Sequence, residues 1–224
     1  MFAAWRGHTD IVKVLIGRGA DIHAGNARDQ TALIFAAERG SAAVVKDLLR
    51  QGAEIDARTR SGATALMIAA WNGHARVVDD LLFEGASVNA RNAAGSTPLV
   101  FAAKNGHLEA LKALVYRGAD IHARDMRGQT ALIFAAENGA CDCVNFLIDR
   151  GADVNAKTMT GWSALMSAAL MGHADVVAQL IRHGAGVGEK DLQGRTALGC
   201  AREMGHPAVV RLLKEAMASK KPRH

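Results

Sequence analysis

The histidines of this chain are the side chains most able to bind a metal ion. Nine are present, and five share one repeated position at multiples of 33 residues: His8, His74, His107, His173 and His206. Zinc needs all of its ligands within about 2.0–2.1 Å of one ion, whereas the helices of stacked units pack roughly 8–10 Å apart. Successive histidines are therefore too far apart to share a metal, and we expect them to stabilise turns. No metal site and no cofactor is predicted.

The cysteines and the known catalytic motifs give no support for enzyme activity. Cys141, Cys143 and Cys200 lack zinc-finger spacing, and their odd number favours buried or incidental thiols in a reducing compartment. The sequence contains no G-x-S-x-G nucleophile elbow, no P-loop and no H-E-x-x-H motif. Because turns explain the recurring Gly and Asp residues, the sequence predicts a protein that is not an enzyme.

The elements that position these residues follow a 33-residue period. Six hydroxyl residues fall 33 apart, namely Thr31, Thr64, Thr97, Thr130, Ser163 and Thr196. Two glycine series share the spacing: Gly7, Gly40, Gly73, Gly106, Gly139, Gly172 and Gly205, then Gly19, Gly52, Gly85, Gly118, Gly151 and Gly184. Such a period indicates stacked supersecondary units rather than one globular core.

Each 33-residue repeat is predicted to contain two helices. The first begins after the Thr, whose hydroxyl accepts from first-turn amides, and ends before a Gly in a left-handed conformation. Paired alanines such as Ala36-Ala37 keep this helix thin, so that neighbouring helices approach closely. The second helix carries one apolar stripe, as in Val77, Val78, Leu81 and Leu82.

The fourth repeat, residues 92–124, shows the repeated pattern most fully. It carries Gly-Ser-Thr-Pro-Leu at 95–99, Ala-Ala at 102–103, Asn-Gly-His at 105–107 and Gly-Ala-Asp at 118–120. The chain resembles the ankyrin-repeat family on these motifs, over essentially its whole length. The resemblance implies an all-α repeat solenoid, in which helix-turn-helix units are joined by β-hairpin loops in a right-handed curved stack.

Two departures from the family pattern bear on the fold. The family His after Thr-Pro-Leu is replaced by Ile34, Met67, Val100, Ile133, Met166 and Gly199. We therefore expect half of the capping box to be missing and more apolar contact between first helices. Asp29 takes the place of a turn Gly, and Asp tolerates the left-handed conformation better than most residues do.

The repeats predict a single domain over residues 1–219. Its parts are a partial repeat at 1–25, full repeats at 26–58, 59–91, 92–124, 125–157 and 158–190, and a C-terminal cap at 191–219, followed by a basic disordered tail at 220–224. The truncated first repeat suggests a longer protein or a start upstream of Met1. Residues 19–40 and 118–139 are close copies, which favours duplication of a three-repeat block.

The charge distribution does not favour nucleic acid as a partner. Net charge is +5, and the seven basic and three acidic residues of 191–224 account for four of those charges. A nucleic-acid groove needs a basic stripe along the stack. One series of that kind exists, Arg58, Arg91, Arg124, Lys157 and Lys190, and we expect nearby acidic residues to offset it.

The sequence predicts a cytoplasmic monomer. No run approaches the roughly 18 apolar residues of a membrane span, and no signal peptide is visible. The basic tail residues are Lys220, Lys221 and Arg223. They form either a weak nuclear-import signal or tether to an anionic surface, or a solvated end.

The family resemblance implies a non-catalytic scaffold or adaptor that binds a partner protein through its concave face, formed by hairpin tips and first helices. The residues predicted to contact the partner are Trp5, Arg6, Glu38, Arg39, Arg60, Trp71, Asn72, Lys104, Asn105, Met126, Arg127, Glu137, Asn138, Met159, Trp162, Leu170, Met171 and Arg195. The three Trp lie outside the repeated framework, and exposed aromatic residues are frequent interface hot spots. Met126, Met159, Trp162, Leu170 and Met171 are expected to form one apolar patch.

Other interpretations remain open on the sequence. Each Trp could instead lie flat against the neighbouring repeat. The chain could be the targeting segment of a longer enzyme or of a ubiquitin-ligase subunit, or a passive spacer that sets a distance.

Overall fold

Short helices joined by turns make up residues 1–219, the part of the chain that the computed structural model describes. The predicted tail residues Lys220, Lys221 and Arg223 lie outside the described residues. The helices are α1 (Phe2–Trp5), α2 (Thr9–Gly17), α3 (Ala32–Glu38), α4 (Ala42–Arg50), α5 (Ala65–Trp71), α6 (Ala75–Phe83), α7 (Pro98–Lys104), α8 (Leu108–Tyr116), α9 (Ala131–Glu137), α10 (Cys141–Asp149), α11 (Ala164–Met171), α12 (Ala174–Arg182), α13 (Ala197–Glu203) and α14 (Pro207–Ser219).

Each predicted repeat contains two of these helices, so the all-α repeat architecture is confirmed. The turns between repeats contain no strand within residues 1–219. Two isolated antiparallel bridges, Lys157–Ser163 and Lys190–Thr196, close the last two of these turns. The single-domain range and the individual repeat bounds stay predictions.

The chain divides into two compact units. The first comprises Met1–Ala102 and His107–Asp120, and the second comprises Ala103–Gly106 and the chain from Ile121 onward. Helix α7 contributes residues to both units, whereas α1–α6 and α8 belong to the first and α9–α14 to the second.

The hydroxyl residues of the 33-residue series cap the first helices as predicted. The Oγ atoms of Thr31, Thr64, Thr130, Ser163 and Thr196 accept from the backbone N–H three residues later, at 3.1–3.5 Å. Thr97 is the exception, because its buried Oγ1 has no hydrogen-bond partner. Asp29 adopts a φ of 58°, which confirms the left-handed turn expected there.

Replacing Thr by the isosteric Val is expected to have different effects at a bonded and at an unbonded position of this series. Thr130→Val removes the hydrogen bond to the Ile133 amide and should cost about 1 kcal/mol of unfolding free energy. Thr97→Val removes a buried hydroxyl that has no partner, and should be neutral or stabilising by up to about 1 kcal/mol. Urea denaturation of both variants measures the two changes in unfolding free energy. Equal losses would contradict the conclusion that Thr97 Oγ1 has no hydrogen-bond partner.

Apolar residues of both helix types fill the interior of each unit. The alanine pairs of the first helices are fully buried, and so are Leu48 and Leu81 in the first unit and Leu147 and Leu180 in the second. The positions that replace the family His are apolar and buried too, at Ile34, Met67, Val100, Ile133 and Met166. The expected apolar contact at the first helices is thus present.

Candidate protein-interaction surface

A five-residue turn precedes each first helix from α3 onward, and the side chain of the first turn residue accepts hydrogen bonds from within the turn. We term these turns the tips: residues 26–30, 59–63, 92–96, 125–129, 158–162 and 191–195. Asp125 Oδ1 accepts from the amides of Arg127 and Gln129, both at 2.8 Å, and Asn26, Asn92 and Asp191 accept in the same way. The acceptor side chains of the tips are therefore used within the turn, whereas the middle residues point outward.

Backbone hydrogen bonds join consecutive tips within each unit. In the second unit the Met159 amide donates to the Arg127 carbonyl and the Leu192 amide to the Thr160 carbonyl, both at 3.0 Å. In the first unit the Arg60 amide donates to the Arg28 carbonyl at the same distance. The spacing of neighbouring tips is consequently set by main-chain bonds and does not depend on the outward side chains.

The predicted residues Met126, Arg127, Met159 and Trp162 come together in one groove of the second unit. Its volume is about 460 Å³, and Gln129, Thr158 and Thr160 complete its lining. Met126 and Met159 expose 68% and 73% of their surfaces. Predicted residues Leu170 and Met171 do not line this groove, because they lie at the far end of α11 from Trp162.

Trp162 is held in place by polar contacts on two sides. Its indole N–H donates to Ser167 Oγ at 2.8 Å, and the Arg195 guanidinium of the next repeat lies 4.7 Å from the ring centroid. Arg195 Nε in turn donates to Asp191 Oδ2 at 2.7 Å. The tryptophan thus packs against its neighbouring repeat and still lines the groove; its contact with a partner stays a prediction.

The Asp191 carboxylate is the ionised anchor of this arrangement. Burial of its side chain raises the pKa, but the bonds from the Arg195 guanidinium and from the Arg195 and Gln193 amides outweigh burial, and the pKa is lowered. A lowered pKa in the folded state contributes stability above the usual pKa of Asp. That contribution is lost as the pH falls through the lowered value.

Asp191→Asn is expected to destabilise the protein at neutral pH. Asn keeps the two turn bonds, as Asn26 and Asn92 do at the same repeat position, but loses the ion pair with Arg195. The difference between wild type and variant should therefore vanish as acid protonates Asp191. Urea titrations across the acidic range, followed by circular dichroism, measure it; a difference that persists below the lowered pKa would refute the ion-pair explanation.

The first unit contains an equivalent groove 99 residues earlier. It has a volume of about 470 Å³ and is lined by Arg28, Gln30, Thr59, Arg60, Ser61, Ala63 and Ile68. Arg60 and Ala63 occupy the positions of Met159 and Trp162, so this groove is basic where the other is apolar. Arg60 Nε also lies 3.7 Å from the Asp29 carboxylate.

The other predicted residues of the first unit fall into two aromatic clusters. Trp5 stacks on Phe2, and the guanidinium groups of Arg6 and Arg39 lie 5.3 and 4.7 Å from its ring centroid. The half-buried Glu38 precedes Arg39, and its carbonyl is bonded to His74. Trp71 keeps 40% of its surface exposed and meets Phe101 edge-on at 5.7 Å, and Asn72 beside it bonds the Ile68 carbonyl.

The remaining predicted residues of the second unit lie at the ends of first helices. Lys104 Nζ sits 5.5 Å above the Phe134 ring, and Asn105 is half-buried. Glu137, Asn138 and Met171 are exposed, whereas Leu170 is half-buried. These residues do not line the groove of repeats five and six.

Four histidines of the series join adjacent repeats. His74, His107, His173 and His206 each place Nε2 2.9–3.0 Å from a carbonyl at the end of the first helix of the preceding repeat. Stabilisation of their own turns stays a prediction. Among residues 1–219 no group of three or more His, Cys, Asp or Glu is arranged to hold a metal ion.

Residues of the basic series make contacts within the fold. Arg58 Nη1 donates to the Gly62 and Arg91 carbonyls, and Arg124 Nη1 to the Gly128 and Lys157 carbonyls. Backbone oxygens of two repeats thus engage each of these two arginines. Lys157 fits the original expectation, because it bonds Glu189 at 2.6 Å and lowers the pKa of that carboxyl.

Two thiols are unsuited to nucleophilic chemistry. Burial raises the pKa of Cys141, assisted by Asp142 and Asp175, and burial likewise raises the pKa of Cys200. The reactive form of cysteine is the thiolate. A raised pKa keeps both groups protonated, in keeping with incidental thiols.

Sequence reasoning missed Leu192, which lies at the tip of the last repeat with 74% of its surface exposed. It stands 33 residues after Met159 and 66 after Met126, so the repeat spacing could have identified it.

The paired helices and the turns that precede them define a repeat protein. A family profile described as "Ankyrin repeats (3 copies)" matches residues 1–92, 75–158 and 156–223. The chain belongs to the ankyrin-repeat family. Ankyrin repeats are generally protein–protein interaction modules and typically lack catalytic activity.

A solved structure supports the same assignment. The human ASB11 ankyrin repeat domain is similar to this chain with a TM-score of 0.88 and 28% sequence identity, over 99% of this chain and 97% of that one. A comparison with curated proteins gave no match. No helix within residues 1–219 is long and apolar enough to cross a membrane.

Proposed function

We propose that this chain binds a partner protein through its hairpin tips and first helices and catalyses no reaction itself. The groove of repeats five and six is the observation that supports this most directly. It combines the exposed Met126 and Met159 with a Trp162 ring whose orientation is already held by Ser167 and Arg195. Rigid aromatic residues surrounded by apolar neighbours are favoured as binding hot spots, because little entropy is lost on binding.

Quantitative capture of partners tests the proposal. We expect the double variant Met159→Ala, Trp162→Ala to lose at least about 90% of a specific partner, because hot-spot truncation costs roughly 2 kcal/mol or more. Phe83→Ala is the matched control, because Phe83 is 72% exposed but lies at the end of α6, away from the tips. Undiminished capture by a folded double variant would refute the site, and equal loss with Phe83→Ala would show that binding is unspecific.

A further inference from the structure

Three consecutive tips of the second unit carry a large apolar side chain at the same repeat position. Met126, Met159 and Leu192, which we term the apolar ridge, expose 68%, 73% and 74% of their surfaces. The earlier repeats hold smaller or charged residues there: Ala27, Arg60 and Ala93. The fold therefore accepts other side chains at this position and does not require the apolar ones.

Met159 and Leu192 contribute main-chain bonds to the fold, but all three ridge residues leave most of their surface exposed. The amides of Met159 and Leu192 join neighbouring tips, a bond that the Arg60 and Ala93 amides also make. Large exposed apolar side chains in a row are costly in water and mark interaction surfaces.

The spacing of the ridge restricts the conformation of a ligand. Stacked helices, and hence successive tips, recur about every 8–10 Å. A segment in the polyproline II conformation rises about 3.1 Å per residue with three residues per turn, so every third residue returns to one face after about 9.3 Å. Such a segment matches the ridge with one apolar side chain per tip.

Polar groups beside the ridge also favour an extended ligand over a helix. Gln129 and Thr160 line the groove next to Met126 and Met159, whereas the Thr158 hydroxyl already accepts from the amides of its own turn. An extended backbone has free N–H and C=O groups that Gln129 and Thr160 can bond, whereas the backbone of a helix is already satisfied internally.

The charges around the ridge are complementary to an acidic segment. Arg127 is exposed at its tip, whereas Asp125 is half-buried and accepts hydrogen bonds from its own turn. Arg195 is already paired with the buried Asp191, so it is Arg127 that presents positive charge beside Met126 and Met159. Complementary charge steers association.

We propose that the apolar ridge binds an extended acidic segment of a partner protein, with a large apolar side chain at every third residue. This inference rests on the proposed function, since it names the kind of partner segment that the same surface accepts. Leu192, which lies outside the groove lining, becomes part of the binding surface.

Fluorescence polarisation with labelled synthetic peptides tests the segment. One peptide carries leucines at every third position with aspartates between them, a second has the same composition with leucines at every fourth position, and a third replaces aspartate by lysine. We expect the first peptide to bind at least about tenfold more tightly than the others, because register decides how many leucines are buried.

Ridge variants show whether that binding occurs at the proposed place. The triple variant Met126→Ala, Met159→Ala, Leu192→Ala should weaken the first peptide at least about tenfold, and Phe83→Ala should leave it unchanged. Alanine occurs naturally at this position in Ala27 and Ala93, so the turns tolerate it. Circular dichroism verifies that both variants are folded.

The outcomes separate this inference from the proposed function. Equal binding of the first peptide and either of the other two, or unchanged binding by the triple variant, would each overturn the extended acidic segment. If partner capture still depends on Met159 and Trp162 in any of those cases, the proposed function stands alone. If that capture is also insensitive, both fail.

Discussion

Replacing Gly139 by alanine is expected to lower the free energy of unfolding by about 2–4 kcal/mol. Gly139 adopts a φ of 71°, which costs an L-residue roughly 1–2 kcal/mol. An added Cβ would also lie 2.7 Å from ring atoms of His173, whose Nε2 is bonded to the Glu137 carbonyl at 3.0 Å. Because the ring cannot move away without giving up that bond, the two costs add. Urea denaturation followed by circular dichroism measures the loss.

Gly151→Ala is the matched control for backbone strain. Gly151 has a φ of 91°, but a Cβ there would meet nothing within 4 Å, so a loss of only about 1 kcal/mol is expected. Adding His173→Ala to Gly139→Ala should recover part of the loss, since Ala140 leaves more room beside Gly106. If Gly139→Ala and Gly151→Ala cost the same, the histidine contact contributes nothing.

Leu147→Ala is expected to cost about 2–5 kcal/mol of unfolding free energy. Leu147 lies on the inward face of α10 and is fully buried, so truncation removes apolar contacts and leaves a cavity between helices. The midpoint of urea denaturation should fall while its slope stays constant, because the folded state keeps its compactness.

Leu192→Ala provides the comparison for an outward leucine of the same unit. With 74% of its surface exposed, Leu192 should change the unfolding free energy by no more than about 0.5 kcal/mol. A loss as large as that of Leu147→Ala would mean that Leu192 packs into the fold, and it would then be unavailable to a partner.

Much of the fold could be predicted because its causes are local. The Thr caps need a hydroxyl three residues before an amide, and the left-handed turns need Gly or a tolerant residue such as Asp29; both are visible in one repeat. The missing hydrogen bond at Thr97 could not be predicted from the residue type, because the same residue type accepts a bond at Thr130. Whether the hydroxyl reaches the amide depends on the local geometry.

The candidate site could be predicted only in part. Residues that break the repeat pattern, such as Met126, Met159 and Trp162, were identified by type and do come together in one groove. Leu170 and Met171 were grouped with them, but the length of α11 separates the two sets. Leu192 shares the repeat position of Met126 and Met159, so the spacing could have indicated it, but its 74% exposure is known only from the structure.

The sequence by itself determined the family, the all-α repeat architecture, the positions of caps and turns, and the absence of known catalytic motifs. These features depend on residue type and on the 33-residue spacing. The hydroxyl residue occurs six times at that spacing, so that each repeat supports the same assignment. Only the tertiary structure decided which variable side chains share a surface, that Arg195 and Ser167 hold Trp162, and that the arginines of the basic series bond backbone carbonyls. Those contacts join residues of adjacent repeats or of different segments, and their distances depend on how the helices pack rather than on the order of residues.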